Sequence, residues 1–502
     1  MLRKVALRKP TSLENQQKKV LLKLINKARE TQFGRKYGFP DIGSAFYADD
    51  PAAFYKQFQA SVPLFNYNSI YAQWWSKSVA GEANVCWPGK TKYFALSSGT
   101  SEASTKHIPI TVDMTKHIKR TSIRQILTLA DYDLPADFYT RGILMLGGST
   151  HLSKKGYSYE GDLSGIQAKQ IPFWFQPFYK PGRRIAATPD WTDKLDEMTI
   201  TAKSWDIGAV VGVPAWIQVL FEKIIAYYKV DTIHDIWPNL AVFTHGGVAF
   251  EPYKKGFEAL LAKPIHYLET YLASEGFIAY QAAQGAKGMK LVTDLGMFYE
   301  FVPFNEINFS SDGDLLPNAE TLMVHQVTPG TDYAILLSTC AGTWRYLIGD
   351  TVRFLDTTTG EILITGRTKH FLSLCGEHLS VDNMNKAVQM AQETFGITVR
   401  EFAVAGVNHD TLFGHEWFIG TDDSIDATKF VAQIDANLKL LNDDYRVERA
   451  HALKSVTGSI LPVNTFYSYL KSKGKEGGQT KFPRVLKKSV YLEWVDFIAA
   501  TK

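Results

Sequence analysis

The segment Ser97-Ser98-Gly99-Thr100-Ser101-Glu102-Ala103-Ser104-Thr105-Lys106 follows the apolar run Tyr93-Phe94-Ala95-Leu96. Small hydroxyl side chains and free backbone N–H groups can wrap a polyphosphate, and Lys106 adds a point charge. A polar surface turn has the same composition, so this loop alone does not decide. Tyr271-Leu-Ala-Ser274-Glu275-Gly276 ends a strand-like run on a carboxylate. Mg²⁺ is held by one or two carboxylates plus substrate oxygens, a role open to Glu275 unless it is a solvated loop residue. Arg345-Tyr-Leu-Ile-Gly349-Asp350 places a second acid after a strand. Asp350 can accept hydrogen bonds from ribose hydroxyls, or simply make a β-turn. Two further candidates are Gly366-Arg367-Thr368-Lys369 and Gly477-Gly478-Gln479-Thr480-Lys481-Phe482-Pro483-Arg484.

Other chemistries are pruned by what is missing. The 37 glycines contain no GxG, so the dinucleotide fingerprint is absent, as are GxxxxGK[ST], GxSxG and HExxH. The 502 residues, 45% hydrophobic and 21% charged, are those of a globular chain. A net charge of +4 is too small for a dedicated nucleic-acid or membrane-surface protein. Cys86, Cys340 and Cys375 lie far apart without a CxxC pair, against both a disulfide framework and a cysteine zinc site. MLRKVALRKP lacks the apolar core of a secretory signal, and the run Ile207–Phe221 is too short to span a bilayer. A cytoplasmic protein without nucleic-acid or membrane partners is expected.

The elements that must position these residues are legible as periodicities. Thr11 and Glu14 have capping-box spacing, with Leu13, Val20, Leu21, Leu24, Ile25 and Ala28 on one stripe behind them. Strand-like and helical stretches alternate from residue 93 to about 276, implying parallel sheets covered by helices. From about Lys290 strand-like pieces dominate, ETLMVHQV (320–327) among them, and an antiparallel or barrel-like subdomain is predicted. Helices are predicted over Val381–Phe395 and Ala427–Asn442, with strands at REFAVAGV and EWFIGT. A domain boundary is placed near Arg367–Lys369. KSKGKEGGQTK reads as a flexible loop.

Taken in order, a Ser/Thr/Gly loop, a Ser-Glu, an RYxxGD, a GR hinge and a C-terminal GG…K resemble the acyl-adenylate-forming superfamily. More closely, the chain resembles the bacterial branch of the auxin-responsive-promoter family of acyl-acid amido synthetases. That family's SSGTSxGxxKxxP is met from Ser97 to Pro109, with Ala103 in place of a glycine. Its YxxSE is met at Tyr271–Glu275 and its RYxxGD at Arg345–Asp350. Further matches are Ser61-Val-Pro-Leu with Tyr67, Trp87-Pro-Gly89, Gly161-Asp-Leu-Ser-Gly-Ile166, Pro238-Asn-Leu, His245-Gly-Gly247, Phe298-Tyr-Glu-Phe301 and Gly478-Gln479. Glu476 stands where a leucine is common.

The resemblance implies an α/β fold: a large ATP- and acyl-binding domain, residues 1–367, with helix-covered sheets and a barrel-like β subdomain. A small, mobile α+β domain, 368–502, would carry the lysine loop. The implied reaction adenylates a small carboxylic acid with ATP, then transfers the acyl group to an amine, an amino acid being expected. Ser97, Ser98, Gly99, Thr100 and Ser101 would bind phosphates with Lys106 nearby. Tyr271, Ser274 and Glu275 would lie at the nucleotide, Glu275 as the Mg²⁺ ligand, with Asp350 on the ribose. Arg367 would sit near ribose or α-phosphate, and Lys481 would stabilise the charge that develops there. Lys369 is a hinge candidate or a plain linker residue. A monomer is expected. The alternatives are an acid:thiol (CoA) ligase and a non-catalytic nucleotide-binding relative. Phe173, Trp174, Phe175, Phe178, Tyr179, Trp216 and Leu220 form an aromatic-rich set that could line an acyl pocket, but such stripes are more often core packing, and they are left unassigned.

Overall fold

The computed structural model describes residues 11–46, 51–97, 106–247, 250–310, 313–368, 372, 374, 379–409, 412–442, 445–446, 449–450, 453–475 and 481–501. The fold is mixed α/β, as expected. Two compact units are each assembled from three stretches: Met1–Leu134, Ser149–Gln170 and Glu269–Ile364, then Pro135–Gly148, Ile171–Leu268 and Thr365–Lys502. Among the described residues no helix is long and apolar enough to cross a membrane.

In the first unit, helix Leu13–Ala28 buries Val20, Leu21, Leu24, Ile25 and Ala28, the predicted stripe. Its cap is Ser12, not Thr11: the Asn15 N–H donates to Ser12 Oγ at 3.3 Å. Glu14 is taken instead by Lys18 one turn on, at 2.6 Å. Gln17 on the buried face donates to the carbonyls of Thr293 and Met297 at 2.7 and 3.0 Å and accepts from Tyr299 N–H at 2.8 Å. Those three bonds stitch the helix to strand Met297–Pro303.

Among the described residues the strand-rich stretch forms an antiparallel run within one sheet. Met297–Pro303 lies at its edge and pairs with Asp332–Thr339, which pairs with Tyr346–Asp356. Gly276–Tyr280 pairs antiparallel with Met289–Leu291 on one side and His266–Ala273 on the other. The expected strand at 320–327 is reduced to a single bridge, Leu322 to Phe301. Gln326 Oε1 captures the Met323 N–H at 2.7 Å, so the chain turns there instead of extending. A second sheet orders Lys106–Ile110, Tyr93–Ser97, Ser158–Gly161 and Ser153–Lys155. Gly165 in the GDLSGI motif is steric, since a Cβ there would lie 2.2 Å from the Ser149 carbonyl oxygen.

In the second unit, Val242–Gly246, Ile207–Gly212, Gly142–Leu146 and Tyr179–Lys180 form parallel neighbours in that order. Helices Trp191–Thr201, Pro214–Tyr228 and Glu251–Glu258 contribute Leu195, Ile217, Leu220, Phe221 and Phe257 to their core. Burial on both faces explains the continuous apolar runs of these strands. The C-terminal part builds a mixed sheet ordered Leu453–Leu461, Leu412–Gly420, Glu401–His409, Val485–Leu486. Alternation divides strand Glu401–His409 between two cores. Phe402 and Val404 pack with helices Val381–Phe395 and Ala427–Leu441, while Ala403 and Ala405 pack with Val463–Ser472 and Lys488–Thr501.

Candidate active site

Tyr271 and Glu275 share one hairpin in the first unit. Ala273 pairs with Gly276, so Ser274-Glu275 is the two-residue turn between the strands. Gly276 has φ +146°, open to glycine, and a Cβ would meet Met297 Sδ at 2.8 Å. Glu275 is buried at 7% exposure although it lies in a turn. Tyr271 is buried too, and its hydroxyl donates to Asp350 Oδ2 at 2.5 Å.

Asp350 is offered by a bulge. Pairing passes from Ala334–Thr351 to Leu336–Leu347, leaving Ile348-Gly349-Asp350 extra opposite Ile335. Gly349 takes φ +90°. An insertion of this kind re-aims the side chains it carries, which is why glycine precedes the acid here.

The arginine of RYxxGD has a different task. Arg345 is buried at 4%, and its Nε and Nη2 reach Glu300 Oε2 and Oε1 at 2.9 and 2.8 Å. Nη1 donates to the carbonyls of Val62 and Gln59 at 2.7 and 2.9 Å, and Nη2 also reaches Thr321 Oγ1 at 2.9 Å. Three sequence motifs therefore meet at one buried ion pair: Ser61-Val-Pro-Leu, Phe298-Tyr-Glu-Phe301 and RYxxGD. The partnership was missed in the sequence. Its signal was a lone carboxylate in an apolar strand, which must find a cation.

The phosphate-loop candidates fall partly beyond description. Ser97 ends its strand directly opposite Lys106 on the antiparallel neighbour. Ser98, Gly99, Thr100 and Ser101 lie outside the described residues, as do Lys369, Cys375 and Gly478-Gln479. Lys106 Nζ sits 5.4 Å from the Tyr67 ring centroid, and Tyr67 Oη accepts from His107 N–H at 2.8 Å. Trp87 of the WPG motif donates to Asp113 Oδ2 at 3.0 Å in the first turn of helix Val112–Thr128.

Arg367 and Lys481 belong to the second unit. Arg367 ends strand Glu361–Arg367, half-buried, after Gly366 at φ +158°. Lys481 Nζ donates to the carbonyl of Gly247, which takes φ +84° just past strand Val242–Gly246. His245 on that strand is buried, and desolvation holds its imidazole down to a pKa of about 4, hence neutral at pH 7. Arg484 is bound by Glu401, at 2.7 Å, and by Tyr253 Oη, at 3.2 Å; neither partner was singled out in the sequence. The aromatic-rich set does not act as one wall: Trp216 and Leu220 are core, whereas Phe173 is 84% exposed.

Among the described residues no group of three or more His, Cys, Asp or Glu is placed to hold a metal. A single carboxylate can hold Mg²⁺ when nucleotide phosphates and water supply the remaining oxygens, and the Glu275 carboxylate has the chemistry of such a donor.

Three consecutive matches decide the family. The GH3 family N-terminal domain matches residues 8–195, its central domain 290–367 and its C-terminal domain 382–490. The chain belongs to the GH3 family. No curated protein matches its sequence. This GH3 chain is similar in structure to a GH3.15 acyl acid amido synthetase at TM-score 0.76 and 15% identity, over 97% of this chain and 94% of that one. A complex of that synthetase with 2,4-DB matches at TM-score 0.77 and 16% identity, covering 97% and 93%. A 2-hydroxyisobutyryl-CoA ligase with bound 2-HIB-AMP matches at TM-score 0.61 and 12% identity, covering 96% and 91%. At such identities the likeness is one of fold.

Proposed function

We propose that this GH3 chain is an ATP-dependent acyl-acid amido synthetase. In the first half-reaction a carboxylate oxygen of a small acid bonds to the α-phosphorus of ATP, and the bond to the β-phosphoryl oxygen breaks, releasing pyrophosphate. In the second, an amine nitrogen bonds to the acyl carbon, the bond to AMP breaks, and the nitrogen gives up a proton. An amino acid is the amine favoured by the family resemblance. Activation is required because a free carboxylate is a poor electrophile.

The observation that carries this reading is the Tyr271–Asp350 hydrogen bond, which ties the hairpin holding Glu275 to the bulge holding Asp350. One hydroxyl thereby couples the two elements that carry these carboxylates. Asp350 would accept from the ribose, its orientation set by Tyr271, with Ser274 beside the nucleotide. Glu275 would hold Mg²⁺, which when bound supplies charge neutralisation at the phosphates. Ser97, Ser98, Gly99, Thr100 and Ser101 would contact the phosphates, with Lys106 as counter-charge. Arg367 would approach ribose or α-phosphate. Lys481 would stabilise charge developing on the carboxylate and α-phosphate oxygens.

A division into a large domain, 1–367, and a small one, 368–502, is part of the proposal. It is supported by the end of the central-domain match at 367 and the start of the C-terminal match at 382. A cytoplasmic monomer completes the reading. The thiol ligase is the second reading, because the fold also resembles a CoA ligase.

Pyrophosphate release screened over carboxylates, followed by mass detection of products with amino acids or CoA, tests both. Amides without thioesters support the synthetase. Thioesters alone would replace it with the second reading, and no pyrophosphate release with any acid would refute both.

A further inference from the structure

Lys481 is a long, flexible side chain after a glycine-rich stretch, so something must fix where its ammonium sits. The residues just after it are firmly held. The Phe482 ring packs 4.8 Å from both Phe466 and Trp494. Arg484 donates to Glu401 Oε2 at 2.7 Å and to the Phe402 carbonyl at 2.9 Å, with its guanidinium 4.3 Å from the Phe402 ring centroid. All of these partners lie in the C-terminal part of the chain.

Tyr253 is the exception. It lies on helix Glu251–Glu258, six positions beyond Gly247, and is buried at 2%. Its hydroxyl accepts from Arg484 Nη2 at 3.2 Å and faces Glu401 Oε1 at 3.4 Å. One short stretch of chain thus contacts the lysine segment twice, through the Gly247 carbonyl at Lys481 and through Tyr253 at Arg484. Three residues of chain span at most about 10 Å, so anchoring Arg484 bounds where Lys481 can reach. The Tyr253 bond lies in a dry setting, whereas the nearby Arg400–Glu222 pair is about one-third exposed and would anchor weakly.

We propose that Tyr253 is a positioning residue for Lys481, holding the Arg484–Glu401 pair so that the ammonium stays at the Gly247 end of strand Val242–Gly246. It acts through Arg484 and touches no reacting atom. The inference rests on the role given to Lys481 in the adenylation step.

Tyr253→Phe removes the hydroxyl and keeps the ring. The two half-reactions are measured on one preparation: ATP–pyrophosphate exchange with an accepted acid, and amide formation from supplied acyl-adenylate. Their ratio cancels any loss of folded protein. Adenylation turnover is expected to fall roughly five- to tenfold, within the range of one ordinary net hydrogen bond. The KM for ATP and amide formation should stay within about twofold, a split that a merely structural tyrosine would not produce. Equal losses in both half-reactions, a change in KM alone, or no change overturns the proposal. Lys481→Ala run in parallel separates the two levels. If it abolishes adenylation while Tyr253→Phe does not slow it, this inference fails and the reading of Lys481 stands. If Lys481→Ala leaves adenylation intact, the role of Lys481 falls and the inference with it.

Discussion

Tyr271 and Asp350, 79 positions apart, meet in a 2.5 Å hydrogen bond from hydroxyl to carboxylate. The bond orients one carboxylate oxygen and couples a hairpin to a bulge.

Asp350→Ala is expected to weaken ATP binding by about 1.5–3 kcal/mol, the value of a hydrogen bond to a charged group. Tyr271→Phe keeps the acid but frees its orientation, and a smaller loss is expected. Calorimetric titration with ATP checks both. Equal affinities in all three proteins would remove Asp350 from the nucleotide.

Glu275→Gln preserves size and removes the charge a cation requires. Acyl-adenylate formation should fall by about 10²-fold or more at low Mg²⁺, some 2.7 kcal/mol of barrier. Raising Mg²⁺ should recover part of it. Pyrophosphate exchange measured across a Mg²⁺ series decides, and parent-like rates at every concentration would discard the assignment.

The side chains of Arg345 and Glu300 are 5% and 1% exposed, so removing one partner strands a buried charge. Arg345→Met alone should cost about 3–5 kcal/mol in urea unfolding. Arg345→Met with Glu300→Leu should recover much of that loss, since both charges are then gone. A double variant as unstable as the single would show that the surrounding hydrogen bonds, not the ion pair, hold this region.

His245 and His117 are buried, and desolvation lowers each imidazole from 6.5 to about 4. The unfolded chain therefore takes up protons near pH 6.5 that the folded chain refuses until about pH 4. Stability is fully present above about pH 7 and declines as pH falls through that window, by about 2 kcal/mol per histidine at pH 5. Urea midpoints at pH 7.5 and 5 should differ accordingly, and less so in His245→Phe. A profile flat from 7.5 to 5 would contradict the burial argument.

Local pattern carried much of the fold. The stripe of helix Leu13–Ala28, the alternating apolar runs from 93 to 276 and helix Val381–Phe395 are written as short-range periodicity, which burial enforces. Boundaries slipped where one side chain chose a nearer partner, as Glu14 took Lys18 instead of closing a capping box. The strand expected at 320–327 turned because Gln326 bonds back to Met323. Such choices depend on atomic geometry and leave little trace in residue type.

The order of the chemistry-bearing motifs, the elements that carry most of them and the family they point to are legible in residue type and local spacing. Partnership and burial come from the folded chain. Glu275, in a hairpin turn, reads as solvated until its neighbours close over it. Arg345, which looks like a site residue, is consumed by Glu300 from 45 positions away. Tyr253 finds Arg484 across 231 positions. Packing brings such pairs together through the whole fold, and a one-dimensional pattern has no term for the low-dielectric setting that makes each bond matter.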